Sequence, residues 1–198
     1  MNPSIYIGVA TSGFIKATTV QSLVRAVGYL QAKKYPVKFG IHESCYVHNN
    51  RNRLFEKAHA SAVDYLMFVD ADMEFGKEEI EKLILQQKEI IGGLYHSRGE
   101  PRVPYAFKVD DTDGRLKIIK DEVIPKKTFE VDAVATGFML IDMKVFNKMK
   151  PPYFFYGDPV LFPELGDDMY FCLKAKHYGI KIFCDPMVDL GHIGNFRY

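Results

Sequence analysis

The sequence predicts an α/β fold, with a mostly parallel central sheet flanked by helices and a mixed, loop-rich second half. Three observations predict it. Through the first hundred residues, strand-like segments alternate with segments whose apolar residues recur at helical spacing, the pattern of βαβ units. Residues 65–69 are an unbroken apolar run that ends on an acid, as a parallel strand buried on both faces does. After residue 100 the pattern changes to short strands separated by turn signals.

The elements follow in order. Residues 4–9 read as a first strand, half apolar and closed by Thr11-Ser12-Gly13. Residues 18–34 read as a helix, with Val20, Leu23, Val24, Val27 and Leu30 at its spacing. Residues 37–41 are a second strand. Residues 50–63 are a helix with Leu54, Ala58 and Ala62 on one face, and residues 65–69 are the third strand. Residues 77–87 form a further helix and 90–94 a further strand. In the second half, 103–109 and 116–119 flank Asp113-Gly114, a hairpin signal. Residues 129–134 and 138–141 read as strands, 143–150 as a short helix, and 151–165 as a loop rich in proline and aromatics. The last helix, 168–178, is stopped by Gly179 at the C′ position, and residues 180–184 and the tail follow. One continuous domain over 1–198 is expected, with a nucleotide-type α/β half over 1–100 and a mixed half over 101–198, a division that suggests a donor site and an acceptor site on one sheet.

Bulk properties exclude several classes. The chain has 198 residues, enough for a sizeable core without metal or disulfide staples, and 47% of them are hydrophobic, an ordinary globular share. A net charge of +1 argues against a general nucleic-acid binder, which carries a basic excess. Cys45, Cys172 and Cys184 are widely spaced and form no CxxC pair, so they read as reduced thiols of a cytoplasmic protein. No apolar run approaches the ~20 residues that span a bilayer, which leaves only peripheral membrane contact open.

Five groups of residues carry chemistry. Asp70-Ala71-Asp72 stands where the buried apolar run ends. In an extended segment both acids leave the same face, and two carboxylates there suit Mg²⁺ or Mn²⁺ with phosphate oxygens filling other positions. A second Asp-x-Asp, Asp111-Thr112-Asp113, reads as a polar turn. Next, Asn49 or Asn50 is a candidate N-cap followed by Arg51, Asn52 and Arg53. Two arginines in a first helical turn oppose the macrodipole, a conflict that a bound anion removes, so Arg51 or Arg53 is a candidate ligand of a donor diphosphate. Gly166-Asp167-Asp168 opens the last helix. Acids stabilise a helix N-terminus in their own right, and one of this pair is also a candidate base for an acceptor hydroxyl, Asp168 before Asp167. His192, between Gly191 and Gly194, is a candidate third metal ligand beside Asp70 and Asp72. Finally, Gly92-Gly93 and Gly137 permit close approach of a ligand or mark tight packing, and Tyr153-Phe154-Phe155-Tyr156 reads as core, a sugar-stacking platform or an interface.

Taken in order, Arg51-Asn52-Arg53, the run from Tyr65 to Asp72, Gly92-Gly93-Leu94-Tyr95, Thr136-Gly137-Phe138-Met139, Gly166-Asp167-Asp168 and Leu190-Gly191-His192 resemble the family 2-like GT-A glycosyltransferases. The resemblance implies a GT-A fold and a donor site formed by Thr11, Ser12, Arg51, Asn52, Arg53, Asp70, Ala71, Gly93 and Gly137. It implies Mn²⁺ or Mg²⁺ on the diphosphate of a UDP- or GDP-type sugar donor, with Asp72 as direct ligand and His192 completing the set. It also implies a glycan or glycoconjugate acceptor whose hydroxyl attacks the sugar C1 by direct displacement with inversion, while some relatives with the same metal site retain configuration instead. Aspartate at 167 replaces the glutamate of the family's Gly-Glu-Asp element, so the division of labour between Asp167 and Asp168 stays open. Three rivals remain: a haloacid-dehalogenase-like phosphohydrolase with Asp70 as nucleophile, a nucleotidyltransferase, and a catalytically inactive sugar-nucleotide-binding module.

Overall fold

The computed structural model describes residues 2–157 and 165–194. The elements in chain order are β1 (Ile5–Thr11), α1 (Ala17–Ala32), β2 (Val37–Glu43), α2 (Val47–Ala60), β3 (Tyr65–Asp70), β4 (Met73–Phe75), α3 (Glu79–Leu85), β5 (Ile90–Gly93), β6 (Ala106–Val109), β7 (Leu116–Ile118), β8 (Phe129–Val131), β9 (Ala133–Val134), β10 (Phe138–Asp142), α4 (Lys144–Lys148), α5 (Asp167–His177), β11 (Ile182–Asp185) and β12 (Leu190–His192).

Seven strands form one sheet in the order β2-β1-β3-β10-β5-β11-β8. Pairs β1/β2, β1/β3 and β5/β11 are parallel, whereas β10 is antiparallel to both β3 and β5, and β8 to β11. Five of these seven strands therefore point one way, with β10 and β8 reversed, but only three of the six neighbouring pairs are parallel, so the central sheet is mixed rather than mostly parallel as expected. Because β10 lies between β3 and β5, with β11 and β8 beyond, three strands of the second half share the sheet of the first hundred residues, while β7-β6-β9 form a separate sheet and β12 pairs with β4. The predicted hairpin is the β6/β7 pair, and Asp111-Thr112-Asp113 lies in its turn.

Strand parity sorts the core onto two faces. Ile5, Ile7, Val9, Met67, Val69, Phe138 and Leu140 face α1 and α3. Tyr6, Leu66, Phe68, Met139 and Ile141 face α2, α4 and α5. Burial of each large side chain such as Phe68 contributes ~1.5–3 kcal/mol. Asp70 follows the parity of Leu66 and Phe68, so it belongs to the α2/α5 face. That placement decides its partner.

Several sequence expectations are corrected. Helix α1 buries Thr19, Ser22, Leu23, Ala26 and Leu30, while Val20 and Val24 are exposed. The inward face is small and hydroxylated because it bonds the turn beyond β3: Thr19 Oγ1 donates to the Ala71 carbonyl and Ser22 Oγ accepts from Phe75 N–H. Helix α2 begins at Val47, so Asn49 and Asn50 are not N-caps and the arginines lie beyond the first turn. Ala62 stands past the helix at φ +50°, outside the predicted apolar face. Residues 129–134 form two strands in two sheets, split at Asp132. Two three-residue strands, β4 and β12, are too short for periodicity to reveal. Pro159 and Pro163 of the aromatic loop lie outside the described residues.

Asp132 is buried, accepts the Val109 amide at 2.8 Å, and pairs with Lys176 and Lys108. Burial acts to raise its carboxyl, but Lys176 and the Val109 amide outweigh burial and hold it below the ordinary value. A depressed folded value stabilises the protein above the unfolded carboxylate pKa of about 4, and that stabilisation disappears as pH falls through the folded value. The expected result is a melting temperature that falls less steeply between pH 6 and pH 3 in Asp132→Asn than in the parent. Identical slopes contradict this assignment.

Candidate functional site

The sheet order 2-1-3 places a switch point between β1 and β3, where ligands bind outside the carboxyl ends of the strands. Ala10 of β1 is registered against Asp70 of β3, so Thr11 and the Asp-x-Asp segment emerge side by side. Lys16 N–H and Thr19 Oγ1 both donate to the Ala71 carbonyl, which ties the β1–α1 loop to that segment. Thr11 is buried, donates to the Phe14 carbonyl and accepts from Gly13 N–H, while Ser12 is exposed.

Asp70 and Asp72 have different partners, although, besides burial, the Asp72 charge still reaches Asp70 and acts to raise its carboxyl. Residues 71 and 72 form a turn, which removes the extended geometry on which the expectation rested. Asp70 keeps the strand's parity and meets Arg51 Nη2 at 3.1 and 3.4 Å. Arg51 lies on the α2 stripe of Leu54 and Ala58 and also donates to Asp167 at 2.5 Å. It is a buried cation whose Nε has no hydrogen-bond partner among the described residues. Burial works against its charge, but Asp70, Asp167 and Asp168 outweigh that and keep the guanidinium charged. Arg53, two residues further round the helix, is exposed and pairs with Glu56. Asn52 bonds both backbone groups of Phe154, anchoring the aromatic loop. Of that loop, Phe154 is core and stacks on Phe171, Tyr153 packs at the core edge, and Phe155 and Tyr156 are exposed beside His48.

Asp72 takes another direction. The β4/β12 ribbon pairs Met73 with His192, and Ile193 N–H donates to the Asp72 carbonyl at 2.7 Å. This ribbon sets His192 Nε2 3.5 Å from Asp72 Oδ2. The ring is wedged against Tyr95 and Tyr105, and its Nδ1 lies 3.0 Å from the His96 carbonyl. A carbonyl only accepts, so Nδ1 carries the hydrogen and Nε2 is the atom turned toward the carboxylate. Nε2 there donates to Asp72 when it carries a proton, and offers its lone pair to a metal ion when it does not. Arg98 Nη1 also reaches Asp72 Oδ2, at 2.9 Å. Burial acts to raise the Asp72 carboxyl, but His192 and Arg98 outweigh it and leave it below its usual value.

Asp168 begins the first turn of α5 beside Asp167. Asp167 is buried in the Arg51 ion pair, whereas Asp168 is half-buried and its Oδ1 accepts from the adjacent Met169 N–H. Burial pushes the Asp168 carboxyl above its ordinary value, helped by Asp167 and Asp70 and opposed by Arg51. Gly137 has no room for a side chain: a Cβ there lies 2.3 Å from Tyr95 Oη and 3.2 Å from an Asp70 oxygen. A Cβ on Gly93 meets Val188 and Leu190 at 2.5 Å, so Gly93 serves tight packing. Sequence reasoning missed Tyr95, Tyr105 and Arg98. For Arg98 the available signal was a basic residue shortly after the Gly92-Gly93 strand end.

As a metal centre the arrangement is partial. Among the described residues no group of three or more His, Cys, Asp and Glu side chains gathers to hold an ion. The expected convergence of Asp70, Asp72 and His192 is reduced to Asp72 and His192, because Arg51 draws Asp70 aside. The pair still fits Mg²⁺ or Mn²⁺ that takes its remaining ligands from phosphate and water. Around the site four carboxylates, Asp70, Asp72, Asp167 and Asp168, face two guanidiniums, Arg51 and Arg98. The negative surplus suits a dication. A groove of about 480 Å³ opens instead near the amino ends of β1 and β3, among Asp64, Asp142 and Lys144, and gathers none of these groups.

No protein-family model and no curated protein sequence matches the chain. Solved structures do. A197 from STIV is 16% identical, with a TM-score of 0.65 over 98% of this chain and 86% of that one. A protein from Bacillus anthracis described as a glucose-1-phosphate thymidylyltransferase is 13% identical, with a TM-score of 0.50 over 96% of this chain and 89% of that one. An apo UDP-glucose pyrophosphorylase is 9% identical, with a TM-score of 0.52 over 97% and 93%. The chain shares their fold. At these identities the likeness extends to fold alone. The three cysteines are free, and among the described residues no helix is long and apolar enough to cross a membrane.

Proposed function

We propose that the chain is a GT-A-type glycosyltransferase that moves a sugar from a UDP- or GDP-type donor onto a hydroxyl of a glycan acceptor. The observation that carries this reading is His192 Nε2 held 3.5 Å from the Asp72 carboxylate, beside the end of the sheet's switch point, by the bond of Nδ1 to the His96 carbonyl. Asp72 and His192 would hold Mn²⁺ or Mg²⁺. When bound, that ion neutralises charge on the leaving diphosphate. Residues 1–100 supply the donor side, with Thr11 and Ser12 beside the base. Residues 101–198 supply the acceptor side, with the exposed Phe155 and Tyr156 near Asp168.

The chain's own groups divide the remaining work. Asp168 takes the proton of the acceptor hydroxyl, whose oxygen forms the new bond to the sugar C1. The C1–oxygen bond to the diphosphate breaks, the leaving group keeps the electron pair, and the anomeric centre inverts. A raised Asp168 value improves its match to a neutral operating pH. Asp167 is tied to Arg51 and positions the start of α5. Both Asp70 oxygens lie against Arg51, which argues against Asp70 as a phosphohydrolase nucleophile.

The shared fold favours a second reading, a sugar-1-phosphate nucleotidyltransferase. The two readings separate in one experiment. The protein is incubated with Mn²⁺ and a panel of UDP- and GDP-sugars, and in parallel with nucleoside triphosphates and sugar 1-phosphates. Release of nucleoside diphosphate from the first panel supports glycosyl transfer or its hydrolytic side reaction. Release of pyrophosphate from the second panel alone replaces this reading with the other.

A further inference from the structure

We propose that Arg98 is a ligand of the donor's diphosphate, held in reserve on Asp72 until a cation takes its place; the proposal rests on the transferase reading above. Arg98 lies on the segment between β5 and β6. That segment is closed at its base by the His96/Pro104 bridge, by Ser97 N–H donating to the Val103 carbonyl, and by Val103 N–H donating to Ser97 Oγ. The same segment orients the metal-binding histidine, because the His96 carbonyl receives the His192 Nδ1 hydrogen. Arg98 is therefore carried by the backbone that fixes the ligand tautomer of His192, two residues away.

The geometry sets up a competition. Asp72 Oδ2 lies 2.9 Å from Arg98 Nη1 and 3.5 Å from His192 Nε2. With Asp72 and His192 holding a cation, Arg98 would lose its claim on that oxygen, and its guanidinium, whose planar fork matches phosphate bidentately, would be free for the diphosphate. Magnitudes favour the exchange. The Arg98 side chain is 52% exposed against 20% for Asp72, so the guanidinium can leave the pair directly into water, which resolvates its charge.

The two arginines predicted from sequence lack this combination. Arg51 is buried between Asp70 and Asp167, and breaking such a pair leaves uncompensated buried charge. Arg53 points elsewhere and pairs with Glu56. Position beside Asp72 and freedom to leave it coincide in Arg98.

The test compares the parent with Arg98→Ala and Arg98→Lys in three titrations: MnCl₂ alone, UDP and GDP at saturating Mn²⁺, and uridine and guanosine at saturating Mn²⁺. Arg98→Ala is expected to bind Mn²⁺ alone as tightly as the parent or several-fold more tightly, because a competing cation is gone. It is expected to bind the nucleoside diphosphate about 10–100-fold more weakly, the loss of a charge-assisted contact, with nucleoside binding unchanged. Arg98→Lys is expected to fall between them. Unchanged diphosphate binding in Arg98→Ala overturns the proposal, as does an equal weakening of Mn²⁺ and diphosphate binding. A parent that binds neither diphosphate overturns the transferase reading itself, a result distinguishable from either.

Discussion

Replacing Asp72 with asparagine is expected to lower kcat by about 10²–10³-fold, the scale seen when one preorganised electrostatic group of a site is removed. Asp72 lies in the turn between β3 and β4, where Ile193 N–H holds its carbonyl rather than its side chain. The substitution keeps volume and leaves that backbone bond intact. Its melting temperature is therefore expected to stay within about 2–4 °C of the parent. Circular dichroism and initial rates on the same preparation give both numbers. Full activity in Asp72→Asn contradicts the role of this carboxylate, and loss of activity together with loss of fold shows only a structural defect.

Arg51→Met is expected to produce the largest loss of stability. Arg51 is 4% exposed and faces Asp70 and Asp167 from the interior of α2. Removing one partner of a buried ion pair costs about 3–5 kcal/mol, because the carboxylates stay behind without a counter-charge. In a chain of this size that is a fall in melting temperature of roughly 6–20 °C. The triple variant Arg51→Met, Asp70→Asn, Asp167→Asn removes the stranded charges and is expected to recover a substantial part of the loss. Contacting residues couple by about 0.5–3 kcal/mol in such cycles. An Arg51→Met protein that melts with the parent contradicts the ion-pair assignment, and additive losses in the triple variant do so as well.

The strand before the Asp-x-Asp segment was legible because burial on both faces writes itself as an unbroken apolar run, and β3 begins at the predicted residue. The helices were legible as well, with ends displaced by a few residues. Helix α2 starts three residues early, and that shift turns Arg51 from a helix-start anion ligand into a buried structural cation. The central place of β10 was not legible, because strand order is decided by packing between distant segments rather than by local spacing. Asp70 and Asp72 illustrate the same limit at the site. Their spacing is correct for a shared face in a strand, but the strand ends at Asp70, and Asp72, in the turn beyond it, meets Arg98 and His192 instead of Arg51. His192 was visible through its glycine neighbours, and its meeting with Asp72 depends on the three-residue ribbon β4/β12, which carries no pattern of its own. Arg98 was hidden because nothing in a loop sequence says which side chain folds back onto a strand end.

The central claim is that Asp72 and His192 together bind a divalent cation that in turn binds a nucleoside diphosphate. Titration of Mn²⁺ by electron paramagnetic resonance, with and without UDP or GDP, tests it on the parent and on His192→Ala. The account predicts saturable Mn²⁺ binding in the parent, tightened by one of the two nucleotides and weakened by at least about tenfold in His192→Ala. Mn²⁺ binding that is absent from the parent, or identical in the two proteins and indifferent to both nucleotides, contradicts it.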